Sequence, residues 1–462
     1  MFSKETYKSR REKMKENLGS GIVLFPGNDE SPMNYPDNTY HFRQDSSFLY
    51  YWGLDFPGLS AIIDIDQDKE IVFGDDVDIQ DIIWTGPRPS IADRARAVGV
   101  EHTEASKKFI DYIQDAVNKN RTVHFLPQYR AENILKISRA VQIPPEEVNK
   151  NVSEQLIKTV VAHRSIKSEE EIKEIEKAID ITYEMQKEAM RITKPGMYEY
   201  EVYGRVEGIA LSHGSHPSFP IIYTIHGEIL HGHSHENLMK EGNLAIMDCG
   251  AESPLHYAGD ITRTYPVGGK FSQLQKDIYN VVLSALEKSV EMMKPDVFNR
   301  DCHLKAAATI FDGMKQLGFF KGNSEDGVRE GVHTLFFPHG LGHMVGLDVH
   351  DMENLGEDYV GYDDEIKRSD KFGLNALRLG RRLKPGFVIT AEPGLYFIPE
   401  LIKRWKAENK FKEFINYDKI EKHIDFSGIR IEDDILITKD GHRVLGKKIA
   451  KTVEEIENWC SQ

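Results

Sequence analysis

Cysteine and tryptophan are scarce, at three and four in 462 residues. Cys249, Cys302 and Cys460 are too scattered for a disulfide framework or a cysteine-based zinc site, and Cys249 reads as a packed thiol. No apolar run reaches the length needed to span a bilayer, and the opening residues Met1 to Lys8 are charged where a secretory leader would be apolar. These absences argue against a membrane partner and lead us to expect a cytoplasmic protein. Positive charge is also short: 59 Lys and Arg face 74 Asp and Glu, giving a net charge of -15. A general nucleic-acid binder meets phosphates with clustered cations, so this charge argues against that class. A nucleotide loop is missing too, because Gly340-Leu341-Gly342 has neither a third spaced glycine nor a following Lys-Ser or Lys-Thr.

What is present is a chain too long for one ordinary core, with 40% hydrophobic and 29% charged residues. We expect an α/β domain over residues 1–163 and an α+β domain over residues 164–462. In the first, Gly21 to Phe25, Phe48 to Trp52, Ser60 to Asp64, Glu70 to Phe73 and Val123 to Leu126 read as short strands between helical stretches. The second opens at Ser168-Glu169-Glu170-Glu171, a capping box before a helix whose stripe is Ile172, Ile175, Ile179 and Met185. Further helices follow Lys194-Pro195-Gly196 and Ser272, and they alternate with strand pairs that carry acids. That order predicts a curved antiparallel sheet with helices on one side and a site in its concavity. The charged stretch 399–426 reads as a solvated excursion.

Five residues of the second half could hold two metal ions: Asp248, Asp260, His343, Glu392 and Glu432. Asp248 ends the apolar run Leu244 to Met247, Asp260 opens Asp260-Ile261-Thr262-Arg263-Thr264, and Glu392 closes Phe387 to Ala391. In Ile429-Arg430-Ile431-Glu432, alternation puts Arg430 and Glu432 on one face of a strand. Burying four carboxylates without compensation would be prohibitive, so positive charge must sit among them. Oxygen-rich donors with one imidazole suit Mn, Co, Fe or Zn better than Ca.

Six stretches occur in a fixed order: Met247-Asp248-Cys249-Gly250, Gly259 to Thr264, Pro338 to His343, Asp348-Val349-His350-Asp351, Thr390 to Tyr396 and Gly428 to Asp433. Together they resemble the pita-bread metallopeptidases, in the aminopeptidase P and prolidase branch. Tyr40 to Leu54 likewise resembles the domain that precedes the catalytic domain in aminopeptidases P. The resemblance implies a pita-bread (creatinase/aminopeptidase) catalytic domain with a dinuclear site, most often holding Mn2+. It implies that Asp260 and Glu432 bridge the ions, that Asp248 completes one and that His343 and Glu392 complete the other. A metal-activated hydroxide would attack the peptide, with Glu392 taking its proton. His231 and His350 match positions that contact the reacting peptide, and a histidine suits proton transfer near neutrality. His339, four residues before His343, lies in a glycine-rich stretch unsuited to a helical metal pair, and reads as a support behind the ligands. Tyr396 and Arg430 would orient carboxylates or substrate oxygens. Only His231 of His231-Gly232-His233-Ser234-His235 belongs to the match, which leaves His233 and His235 on a loop tip. Trp84 resembles an aminopeptidase P residue that lines the substrate site from a neighbouring subunit, and core packing explains it equally well.

The branch implies cleavage of a peptide before a proline at the second position, by a homodimer or homotetramer. Phe219-Pro220-Ile221-Ile222-Tyr223 would line an apolar pocket for that proline. The first expectation is a Mn-dependent Xaa-Pro aminopeptidase. Arg378, upstream of Glu392, resembles the prolidase arginine that binds a dipeptide carboxylate, so an Xaa-Pro dipeptidase is the alternative.

Overall fold

Runs of β-branched residues build the N-terminal sheet. Its strands are β1 (Ile22–Pro26), β2 (Ser60–Asp64), β3 (Lys69–Phe73), β4 (His102–Glu104) and β5 (Val123–His124), in the order β4-β3-β2-β1-β5. The inner strands pair antiparallel, and β4 and β5 join the edges parallel. Ile22, Leu24, Ile62, Ile71 and Phe73 pack from the sheet onto Phe109 and Ile113 of the helix Lys108–Asn118. The computed structural model describes residues 1–462, which divide into this unit, 1–164 with 353–359, and a second, 165–352 with 360–462.

Phe48 to Trp52 is not a strand. It belongs to the helix Ser46–Trp52, all seven residues of which are buried. A fully buried helix shows no amphipathic period, so its apolar run resembles an interior strand. The informative signals flank it: the Asp45 carboxylate caps Phe48 N-H, and Gly53 closes the helix at φ 62°. Strand β4 escaped notice because His102-Thr103-Glu104 is wholly polar.

In the second unit the helices Glu169–Ile192 and Glu199–Ser212 precede β6 (Ile222–Thr224), β7 (Leu244–Cys249) and β8 (Ile261–Pro266). Ser168 caps the first helix in a capping box, and Ile172, Ile175, Ile179 and Met185 are buried. The helices Gln273–Glu291 and Asn299–Gln316 then precede β9 (Val388–Ala391), β10 (Gly394–Tyr396), β11 (Gly428–Arg430), β12 (Asp433–Ile437) and β13 (His442–Val444). Two helices followed by antiparallel strands thus occur twice, a repetition of architecture that the residues do not repeat. The strands form three short sheets, β6-β7-β8, β10-β11 and β13-β12-β9, rather than one continuous sheet. Hydrogen bonds stitch them together: Arg430 N-H donates to Thr264 Oγ1 at 3.1 Å and Glu432 N-H donates to the Thr262 carbonyl at 3.0 Å.

The 399–426 segment is not a solvated excursion. Its helices Pro399–Ala407 and Tyr417–Glu421 bury Ile402, Trp405 and Ile420, and Lys321 N-H donates to the Phe414 carbonyl at 2.7 Å. Charges fill the exposed positions and hide an amphipathic pattern in the composition. Trp405 lies edge-on to Phe411 with ring centroids 5.5 Å apart. Trp405→Ala is expected to cost about 3 kcal/mol or more, measured as a lower midpoint in denaturant.

Candidate metal centre

Each half of the second unit supplies two of the four carboxylates. Asp248 lies near the end of β7, and Asp260 immediately precedes β8. The backbones approach closely here, since a Cβ on Gly250 would lie 1.7 Å from the Gly259 carbonyl oxygen. Glu392 follows β9 directly. Glu432 lies between β11 and β12 rather than within a strand, because the chain leaves one sheet at Arg430 and enters another at Asp433. Arg430 and Glu432 nevertheless both reach the hydroxyl of Thr262, at 3.3 and 2.6 Å.

His343 comes from an extended segment that runs beside β9. Thr390 N-H donates to the His343 carbonyl at 2.9 Å, Glu392 N-H to the Leu341 carbonyl at 2.7 Å, and Val345 N-H to the Val388 carbonyl at 3.0 Å. Gly342 is required in this seam, because a Cβ there would stand 2.1 Å from the Thr390 carbonyl oxygen. The same pairing therefore sets His343 and Glu392 side by side.

The ligand atoms of Asp260, His343 and Glu432 lie within 4.8 Å of one another. His343 Nε2 is 3.4 Å from Asp260 Oδ2 and 3.7 Å from Glu392 Oε1. His343 Nδ1 lies 3.0 Å from the Met344 carbonyl, to which it must donate, so the lone pair resides on Nε2 and faces the acids. Burial, reinforced by Glu432 and Asp248, pushes the Asp260 carboxyl well above the usual range. Burial with Glu392 and Asp248 does the same to Glu432, and burial raises Glu392 to about 8. Asp248 Oδ1 is buried without a hydrogen-bonding partner, although Oδ2 meets Arg430 Nη2 at 2.7 Å. A cluster of proton-hungry carboxylates, one carboxylate oxygen unpaired and one imidazole lone pair turned inward fit divalent cations, whose charge replaces the missing protons.

Behind the acids runs a hydrogen-bonded chain. Arg430 Nη1 donates to Tyr396 Oη at 3.0 Å, and Tyr396 Oη lies 2.9 Å from His339 Nε2. His339 Nδ1 lies 2.8 Å from the Gly340 carbonyl, so its Nε2 accepts from the tyrosine. Burial, helped by Arg430, drives His339 down to about 3 and keeps it neutral. Arg430 is buried at the centre of this chain and is no surface cation.

A cavity of about 350 Å³ opens over the cluster, with His231, His350 and Arg378 in its lining. Phe219, Pro220 and Ile222 form part of its apolar wall, whereas Ile221 and Tyr223 belong to the core. His233 and His235 lie on the loop as expected; His233 is exposed and also lines the cavity, and the His235 ring stacks on Tyr203 and its Nδ1 meets the Tyr223 carbonyl at 3.0 Å. Trp84, on the helix Ile79–Thr85, is 83% exposed, which removes core packing as its explanation. Cys249 is buried, and burial beside Asp248 and Asp260 pushes its thiol well up. Sequence reasoning overlooked Thr262 and Thr390, whose hydroxyls hold Glu432 and His343 N-H; the signal for Thr262 was its place two residues beyond Asp260 on an alternating strand.

Residues 173–439 match the model of metallopeptidase family M24, more than half of the chain. The chain belongs to metallopeptidase family M24. Residues 7–124 of this peptidase match the aminopeptidase P N-terminal domain. The Xaa-Pro aminopeptidase of Escherichia coli is 30% identical to it over 99% of this chain and 97% of the relative. Human Xaa-Pro dipeptidase is 29% identical over 96% of this chain and 90% of the relative. Zinc-substituted Escherichia coli aminopeptidase P in complex with product superposes with a TM-score of 0.81 at 29% identity, covering 100% of this chain and 98% of that one. The family fold is accordingly an aminopeptidase P-type N-terminal domain followed by a pita-bread catalytic domain.

Proposed function

We propose that this peptidase is a Mn-dependent Xaa-Pro aminopeptidase, releasing the first residue of peptides whose second residue is proline. The observation that carries the chemistry is the convergence of Asp248, Asp260, His343, Glu392 and Glu432 beneath a single cavity. Likeness to the Escherichia coli enzyme over nearly the whole of both chains supports the aminopeptidase branch. Two divalent ions bound there would supply an activated water and electrostatic stabilisation of the oxyanion.

The remaining work falls to side chains. Asp260 and Glu432 would serve both ions, Asp248 would help to hold one, and His343 and Glu392 would help to hold the other. Arg430 holds one oxygen of Asp248, so the other would be available to an ion, while Thr262 fixes the rotation of Glu432. Glu392 has a fifth of its side chain exposed, against 6 to 11% for Asp248, Asp260 and His343, and it takes the proton of the attacking water. His231 and His350 contact the reacting peptide, and one of them returns a proton to the leaving nitrogen. Phe219, Pro220 and Ile222 receive the proline ring. Trp84, exposed on its helix, completes the substrate site of a neighbouring subunit in a homodimer or homotetramer.

Arg378 in the cavity lining favours a second reading, an Xaa-Pro dipeptidase that grips the free carboxylate of its substrate. The two readings separate on protein stripped with chelator and reloaded with Mn2+, assayed on Xaa-Pro dipeptides and on C-terminally amidated Xaa-Pro-Yaa tripeptides. Cleavage of the amidated tripeptide is expected, and Arg378→Met should change it little. Activity confined to free dipeptides, with KM raised roughly ten- to a hundred-fold by Arg378→Met, would make the protein a dipeptidase. Absence of Mn-dependent cleavage on either substrate would overturn both readings.

A further inference from the structure

Lys167 and Asp351 form an ion pair in the interior of the second unit. Lys167 Nζ lies 2.9 Å from Asp351 Oδ2, and both side chains are 1% exposed. Such a pair contributes little net stability, since desolvation offsets most of the attraction, so its presence calls for another explanation. Its position supplies one. Lys167 precedes the cap Ser168 of the helix Glu169–Ile192 and is tied down by its own N-H, which donates to the Gly386 carbonyl at 2.8 Å. Asp351 adjoins His350 in a loop of irregular backbone. Its N-H donates to the Met344 carbonyl at 2.9 Å, and its other oxygen, Oδ1, accepts from Asp348 N-H at 3.4 Å. The residue after it, Met352, sits at φ 65°. The loop thus leaves His343 at Met344 and returns to it at Asp351, and the His350 ring stands edge-on to the His343 ring with centroids 4.3 Å apart.

We propose that Lys167 is a positioning residue for His350, acting through Asp351. With the ammonium in place, the Asp351 carboxylate is held at both oxygens and the loop has one conformation. Without it, the buried carboxylate loses the positive charge that faces Oδ2, and the loop carrying His350 shifts with it. A small displacement of a group that contacts the reacting peptide lowers turnover far more than it alters binding. The inference rests on the proposed role of His350, and the test separates the two.

The measurement is kcat and KM on an Xaa-Pro substrate, taken below the melting transition of every variant and at equal metal content. Lys167→Met is expected to lower kcat roughly ten- to a hundred-fold with KM within about three-fold, and Lys167→Arg to recover most of the loss. In a His350→Ala background the same Lys167→Met change should cost less than about two-fold more, because a residue that acts through His350 has nothing left to position. If Lys167→Met fails to fold, Lys167→Met combined with Asp351→Leu removes both charges of the pair and is measured in the same two backgrounds. Equal losses with and without His350 would show a merely structural pair, and unchanged kcat in Lys167→Met would also overturn the proposal. A His350→Ala enzyme with full kcat would sink the role of His350 itself and this inference with it.

Discussion

Asp260→Asn and Glu432→Gln should each lower kcat/KM by roughly a thousand-fold or more, and each should raise the melting temperature of the metal-free protein. The two effects have one cause. Both carboxylates are buried and pushed well above their usual range by burial and by the other acids. In the metal-free protein they are a liability, since every ionised member repels the rest in a medium that screens poorly. Removing one relieves that repulsion, just as it removes an oxygen that an ion needs. An ordinary structural carboxylate behaves in the opposite way, because its removal costs stability. The discriminating experiment pairs metal content and kinetics with melting curves in chelator. Variants that keep activity within about ten-fold of wild type would dismiss these residues as ligands.

The metal-free protein should also lose stability as the pH rises from 6.5 to 8, and Mn2+ should abolish or reverse that trend. The sign follows from the protons bound in each state. Glu392 is raised from 4.5 to about 8 in the folded chain, and Asp260 and Glu432 are also raised. Carboxylates whose folded pKa is raised stabilise most fully below their unfolded pKa, and the benefit disappears as the pH climbs through the folded value. Between 6.5 and 8 the unfolded chain is already ionised while the folded one still holds protons, so unfolding releases them. Each proton makes the slope about -1.4 kcal/mol per pH unit. Divalent ions compete with those protons, so the loaded protein gains what the stripped protein loses. Melting curves at both pH values, with chelator and with Mn2+, give the comparison. A stripped protein whose melting temperature stays level or rises over this interval would show that the acids are ionised when folded.

The family was legible because six motifs stand in a fixed order, and the acids that converge under the cavity because an acid at the end of an apolar run is a local signal. Asp248, Asp260 and Glu392 each stand where an apolar run meets a turn, and a few neighbouring residues suffice to mark them. What escaped the sequence depends on distant contacts. The helix Ser46–Trp52 presents no polar face, so its period is invisible. Residues 399–426 expose their charges while Ile402 and Trp405 are buried, and Phe414 meets Lys321 and Phe311, far away in the chain. The break between β11 and β12 at Glu432 arises because two sheets meet there, which alternation within four residues cannot announce. His233 enters the cavity lining for the same reason, through the path of its loop rather than its own motif.

Gly342 gives the seam beside β9 a significance for evolution. His343 and Glu392 lie on separate stretches of chain, yet a single hydrogen atom in place of a side chain keeps them in register. Natural drift can therefore silence this centre without touching a ligand. A descendant retaining all five donors but carrying alanine at 342 would pass any inventory of metal-binding residues and still hold its imidazole and carboxylate out of step. Active and inactive lineages are better told apart by reading that glycine together with the acids.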